Sequence, residues 1–377
     1  MSRKRFLITT LVLVVLAALV YLQVRTWKKF DWHRFWVATQ NTHKFYLVAG
    51  IALVYVDYFL RAVRWKIMLR PVAPEARSAD LVAPTMIGFT GLALLGRPGE
   101  FIRPYLIARK QSLNMSSQLA VWTVERIFDT GAFALIMAVN ILWSADALKR
   151  DVPAFREAAT QSVFGHQVLL FSIFEGVAIG LLAAMAAIAW AAFRVRRNPA
   201  GAARFFVRLL GRIAPGFAHG VAKRVQAFGE GLNTVKDVKS FFQLAGISVL
   251  IWVIIGFAYM AVTHAYSIHR LSRMTLSSVF LLTAASVVGG VLQLPVVGGG
   301  SQLATIGMLR GVFNLPPELA ISCGIMLWLV TFMSVIPAGL ALARSEHVSL
   351  TKIEEESLEE EQKAEREIGT SGDRDIG

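Results

Sequence analysis

The sequence predicts an all-α, polytopic membrane protein with about six full transmembrane helices and two broken, re-entrant helical hairpins. Three observations carry that prediction. The 377 residues are 55% hydrophobic and only 17% charged, with a mean hydropathy of +0.54, whereas a soluble globular domain carries about 25% charge. Several apolar runs reach about 18 residues or more, the length a helix needs to cross roughly 30 Å of hydrocarbon. Two further apolar segments, 81–96 and 275–313, are broken or ended by glycine clusters.

The first run, "FLITTLVLVVLAALVYLQV" (6–24), follows Ser-Arg-Lys-Arg. Its apolar core outlasts a secretory h-region and no A-x-A-like cleavage site follows, so it reads as a retained span. Residues 25–44 place Trp27, Trp32 and Trp36 at helical spacing, as in a helix lying in the membrane interface. Residues 45–65 form a second span. The segment 81–96 is apolar but short and glycine-rich. Residues 117–143 and 168–193 are each long enough to cross. In 194–239 ten Lys or Arg face two acids, which makes this loop cytoplasmic. Phe205, Phe206, Leu209, Leu210 and Ile213 recur there at helical spacing, as in a helix on the inner leaflet. A span at 241–266, the glycine-broken segment 275–313 and a last span at 318–343 complete a transmembrane domain over 1–343. Residues 344–377 form a charged, partly disordered cytoplasmic tail.

Topology comes from counting outward from 194–239. With that loop inside, 144–166 is outside, while 97–116 and the N-terminus are inside. Segment 81–96 must then enter and leave from the cytoplasm. Counting forward puts 267–274 outside and makes 275–313 enter and leave from that face. Interrupted segments opening to opposite faces point to an inverted repeat with a site near the midplane.

Ionisable residues cluster within these segments. Asp57, Arg61 and Arg64 share one face of the second span at i, i+4 and i+7. Glu100 and Arg103 follow the "GRPGE" break, which contains Arg97 and Gly99. Glu125 and Asp129 share a helix face, with Arg126 about 100° round the helix from Glu125. A charge at the bilayer centre costs about 2.5–3.5 kcal/mol even on insertion scales, so such groups pair or line a polar path. Two readings stand. Pairs such as Asp57–Arg61 and Glu125–Arg103 can simply pin helices together. Alternatively, Arg97, Arg103 and Arg126 contact an anionic headgroup, helped by N–H groups freed at the break and positioned by Glu100, Glu125 and Asp129. In "LPVVGGGSQ", Gly299 and Gly300 let backbone approach a ligand that Ser301 and Gln302 can hydrogen-bond; a close-packed turn explains the same glycines. Asp57, Arg61 and Arg64 supply supporting ion pairs; the lone acid Glu175 either joins them as the partner of an arginine elsewhere or serves as a proton-coupling carboxylate.

A single cysteine, Cys323, excludes an intrachain disulfide. The seven histidines show no metal-ligand spacing, and no P-loop Lys-Ser/Thr follows the glycines. No metal or other cofactor is implied. The net charge of +14 fits the positive-inside rule and anionic headgroups rather than nucleic acid.

The run "GRPGEFIRPYLIARKQSLNMSSQLAVWTVERIFD" (96–129) resembles the signature of the lysylphosphatidylglycerol synthase transmembrane-region family, often called flippase-like membrane proteins. That signature reads approximately L-P-x-R-x-G-E-x-x-R, then V-x-x-E-R-x-x-D. Arg97, Gly99, Glu100 and Arg103 match the first part; Glu125, Arg126 and Asp129 match the second. "FLRAVRWKIML" (59–69) looks like the family's Arg-rich end of an early span. Leu95 stands where the family has proline, and in "PVVGGGSQ" Val296, Val297 and Gln302 replace two glycines and an acid. The resemblance implies movement or handling of a lipid rather than synthesis, because the family's aminoacyl-transfer chemistry belongs to a separate soluble domain that the tail does not supply. The expectation is a non-enzymatic lipid translocator of the bacterial inner membrane. Its ligands are membrane lipids, anionic or isoprenoid-linked, and a lipid-synthesis enzyme is a further partner. The alternatives are an intramembrane transferase acting on a lipid-linked substrate and a non-transporting escort of such an enzyme.

Overall fold

A computed structural model describes residues 30–144, 238–290 and 299–346, with isolated positions 148, 152, 179, 180 and 183. The expected span 6–24, the expected span 168–193 apart from residues 179, 180 and 183, Trp27, Glu175, the basic loop up to Asp237, residues 291–298 with Val296 and Val297, and the tail beyond Glu346 lie outside the described residues. Among the described residues every regular element is helical.

Helix α1 (Trp32–Gln40) starts where the Asp31 side chain accepts the Arg34 N–H at 2.9 Å, and it leaves Trp32 and Trp36 about half exposed. Helix α2 (Lys44–Leu69) runs 26 residues, about 39 Å, and α3 (Ser78–Leu95) runs 18, about 27 Å. The sequence places this last segment at 81–96 and makes it enter and leave from the cytoplasmic face. In the structure it starts three residues earlier, and by length and composition it is apolar enough to span.

The turn at the end of α3 sets its role. Gly96 adopts φ 75° and ψ −146°, a region open almost only to glycine. The chain then turns through a 3₁₀ segment (Arg97–Phe101) into α4 (Ile102–Lys110). A Cβ on Gly99 would overlap the Gly91 backbone, and one on Gly88 would overlap Arg103. Residue 91 meets 99 while 88 meets 103, so the arms run antiparallel and close backbone against backbone. Thr90 on α3 is fitted equally tightly against Gly339, which fixes this hairpin on the last helix.

Helix α5 (Met115–Trp143) is capped by Asn114, which accepts the Ser117 N–H at 3.1 Å. Helix α6 (Val238–His264) leads, through the single turn α7 (His269–Ser272), to α8 (Leu276–Gly289) and α9 (Gly299–Gly311). At 14 and 13 residues, α8 and α9 measure about 21 and 20 Å, short of a bilayer core. They too meet through glycines, since a Cβ on Gly289 would overlap the Gly300 carbonyl. Helix α10 (Pro317–Trp328) passes through a π turn (Leu329–Met333) into α11 (Val335–Ser345).

Among the described residues the two halves therefore share one order: long helix, hairpin, long helix. Their leading helices, α2 and α6, pack antiparallel. The His43 N–H donates to the Ala265 carbonyl at 2.8 Å, Gly50 faces Ala258 and Val262, and Arg70 donates to Gln243 at 3.0 Å. One hairpin consequently starts at each end of the α2–α6 pair. That is the arrangement an inverted repeat requires. One buried apolar cluster joins α2 to α5 around Trp65 and Leu69; a larger one joins α5, α6, α8, α9 and α10.

Candidate functional site

Helical spacing puts Asp57, Arg61 and Arg64 on one side of α2, and Glu125 and Asp129 on the side of α5 that faces them. Close approach of α4 at Gly88 adds Arg103. Together these six make a buried ion-pair network. Arg64, fully buried, donates to Glu125 at 2.5 Å, to Asp129, and to the Ser248 hydroxyl at 2.9 Å. Arg103 donates through both Nη atoms to the two Glu125 oxygens, and its guanidinium lies 4.3 Å from the centroid of the Trp65 ring. Trp65 is in turn held by Nε1 donating to Gln118 at 3.1 Å. Arg61 donates from Nε to both Asp57 oxygens at 3.0 and 3.1 Å, and its Nη1 lies 3.8 Å from Asp129. Three carboxylates match three guanidinium groups. That balance matters, because removing one partner of a buried pair typically costs about 3–5 kcal/mol.

Arg126 is held more loosely. Its side chain is 43% exposed, with Nη2 3.6 Å from Glu125 and 3.8 Å from Asp129. With Gly88, Phe89, Leu92, Glu100, Arg103 and Trp122 it lines a small outer cleft.

A larger cavity, about 210 Å³, lies beside the middle of α2. Asp57 and Arg61 contribute its ion pair, and Phe89 from α3 forms part of its wall. Tyr259 of α6 and Ser286 of α8 line it joined by a 2.9 Å hydrogen bond; Ser301, Gln302 and Thr305 come from α9. Trp328 and Thr331 reach it at the π turn, a local widening of the helix that recurs at functional sites. The Thr305 and Thr331 hydroxyls are spent on carbonyls of their own helices, each at 2.7 Å. Among the described residues the Gln302 amide has no hydrogen-bond partner. The groups left to meet a polar ligand are therefore the outer edge of Arg61 and the Gln302 amide. Net charge in the lining is zero, and aromatic rings frame it.

The expected site residues divide between these places. Ser301 and Gln302 reach the cavity, with Asp57 and Arg61 from the set expected only to support. Arg64 is the hub of the network rather than an outlying pair. Both expected pairs, Asp57–Arg61 and Glu125–Arg103, are formed. Glu100 and Arg126 face the outer cleft, and Arg97 is exposed at the turn. Gly99 and Gly300 are taken up in closing the hairpins, while Gly299, at φ 48°, starts α9. Sequence reasoning missed Phe89, Ser248, Tyr259, Ser286, Trp328 and Thr331. Small hydroxyls and aromatics inside apolar helices carry no spacing signal that separates a cavity wall from ordinary packing.

A family model described as the lysylphosphatidylglycerol synthase TM region matches residues 7–339. The chain is also similar to a protein of Haloferax volcanii named "Glycosyltransferase AglD", with 24% identity over 324 residues that make up 83% of this chain and 51% of that one. The chain thus spans about half the length of that curated relative.

Proposed function

Because the chain belongs to the lysylphosphatidylglycerol synthase TM-region family, and is a multi-pass membrane protein with a lipid-related role, we propose that it translocates a lipid across the bacterial inner membrane. The headgroup occupies the cavity; the acyl chains stay in the bilayer. One observation carries the reading: a cavity at mid-height of α2 that holds the Asp57–Arg61 ion pair is bordered by both hairpins, which start from opposite ends of the α2–α6 pair. In this reading the hairpins are re-entrant, and rocking one against the other opens the cavity to alternate faces. Arg61 binds the anionic phosphate with its Nη edge while Asp57 holds its Nε, and Gln302 donates to the same headgroup. The end where α2 finishes and α6 begins gathers Lys66, Arg70, Arg77, Arg109, Lys110, Lys239 and Arg344, so the positive-inside rule makes it cytoplasmic. The partners are anionic membrane lipids and, upstream, the enzyme that makes them.

The test is movement of fluorescent phosphatidylglycerol between leaflets of proteoliposomes, read by quenching the outer leaflet with dithionite. Arg61→Met abolishes movement, whereas Arg310→Gln, on the exposed surface of α9, leaves it intact. Unchanged movement with Arg61→Met would overturn the site. The relative's printed name favours a second reading, in which the cavity presents a lipid-linked substrate for glycosyl transfer. Incorporation of labelled sugar into lipid by the purified chain would establish that reading in place of translocation.

A further inference from the structure

We propose that Phe89 partitions two headgroup stations, an outer one at Arg126 and the inner one at Arg61, and that rotation of its ring admits the lipid phosphate from one to the other. The inference rests on the translocation reading of the cavity and adds the route by which the headgroup reaches it.

Three observations carry it. Among the described residues, Phe89 is the one side chain common to the outer cleft and the cavity. Its ring is approached by a cation from each compartment, with the Arg61 guanidinium 5.1 Å and the Arg103 guanidinium 5.2 Å from its centroid. The backbone on either side is clamped, since Gly88 abuts Arg103 and Thr90 abuts Gly339 with no room for another atom. Helix α3 cannot shift locally without overlapping α4 or α11, so the movable part is the ring.

The chemistry of the two stations suits a handover. Arg126 is half-exposed and held only at 3.6 and 3.8 Å by carboxylates of its own helix, so an incoming phosphate can take it up without breaking a short ion pair. The Phe89 ring, also packed 5.0 Å from the Tyr58 ring, fills the space between the cleft and the cavity, while Arg126 Nη2 and Arg61 Nη1 each lie 3.8 Å from the same Asp129 oxygen. A phosphate does not cross hydrocarbon, but once the ring turns it passes directly from one guanidinium to the next. Rotation of a partly exposed side chain is fast and needs no rearrangement of the bundle.

The experiment uses the full chain in membrane vesicles with its single cysteine, Cys323, replaced by alanine. Gln302→Cys reports on the cavity and Leu92→Cys on the outer cleft. An anionic, membrane-impermeant methanethiosulfonate is added from the face that carries Arg109. Phe89→Ala speeds labelling at Gln302→Cys roughly tenfold, as expected for removing a barrier of about 1.4 kcal/mol, and Phe89→Trp slows it. Labelling at Leu92→Cys stays the same in all three, which shows that the fold is kept. Phe89→Leu, which preserves the packing against Tyr58 with a narrower side chain, falls between wild type and alanine. Equal rates at Gln302→Cys across the series would overturn the partition. That result with Arg61-dependent lipid movement intact would leave translocation standing; the expected labelling pattern with no lipid movement by the protein that retains Gln302 and Leu92 would sink translocation and keep the partition.

Discussion

Replacing Glu125 by glutamine removes the charge on which two buried arginines converge. The consequences for those arginines differ. Arg64 keeps Asp129 and the Ser248 hydroxyl, whereas Arg103 has no other short carboxylate contact among the described residues. Its stacking on Trp65 at 4.3 Å is present before and after the change and offsets nothing. An orphaned buried charge costs about 3–5 kcal/mol. A glutamine carbonyl still accepts one hydrogen bond, which recovers about 1 kcal/mol, so Glu125→Gln alone should destabilise by roughly 2–4 kcal/mol. Adding Arg103→Met removes the orphan and fills the space beside Trp65, and the double variant should regain about 1–3 kcal/mol of that loss. Thermal unfolding in detergent, followed by tryptophan fluorescence, reads both numbers. Losses from the single variants that simply add, within about 0.5 kcal/mol, would refute the pairing. Lipid movement per folded molecule answers a second question: a double variant that moves lipid makes Arg103 a strut, and one that folds but moves none makes it a ligand.

Gly99→Ala and Gly289→Ala each force a Cβ into the opposite arm of a hairpin and should cost about 1–3 kcal/mol. Gly131→Ala, with nothing within 4 Å of the added atom, should leave the melting temperature unchanged or slightly raised. Gly96→Ala must hold φ 75° and ψ −146° and should lower stability by about 1–3 kcal/mol, again seen in thermal unfolding. Arg126→Gln, half-exposed, should change stability by less than about 0.5 kcal/mol. It should nevertheless weaken binding to vesicles rich in phosphatidylglycerol, and the difference from wild type should shrink as salt is raised.

Much of this fold is written in one dimension. Long, mostly apolar stretches such as 45–65 and 241–266 fix helices by length and hydropathy, since a backbone in lipid must satisfy its own hydrogen bonds. Glycines mark where the arms of both hairpins close on each other, and i, i+4 spacing puts Glu125 on the same face as Asp129. Spacing states which face a side chain takes, but not which helix arrives opposite that face. That Arg64 is the hub, that Arg103 chooses Glu125 over Glu100, and that Arg61 stands with Gln302 in one cavity are all set by antiparallel packing of α2 on α6 and by backbone contact at Gly88. Those contacts join residues as many as 241 positions apart, and no local pattern encodes them. Phe89 shows the same limit at a single residue, because an aromatic ring in an apolar helix becomes a partition only when two separate compartments close around it.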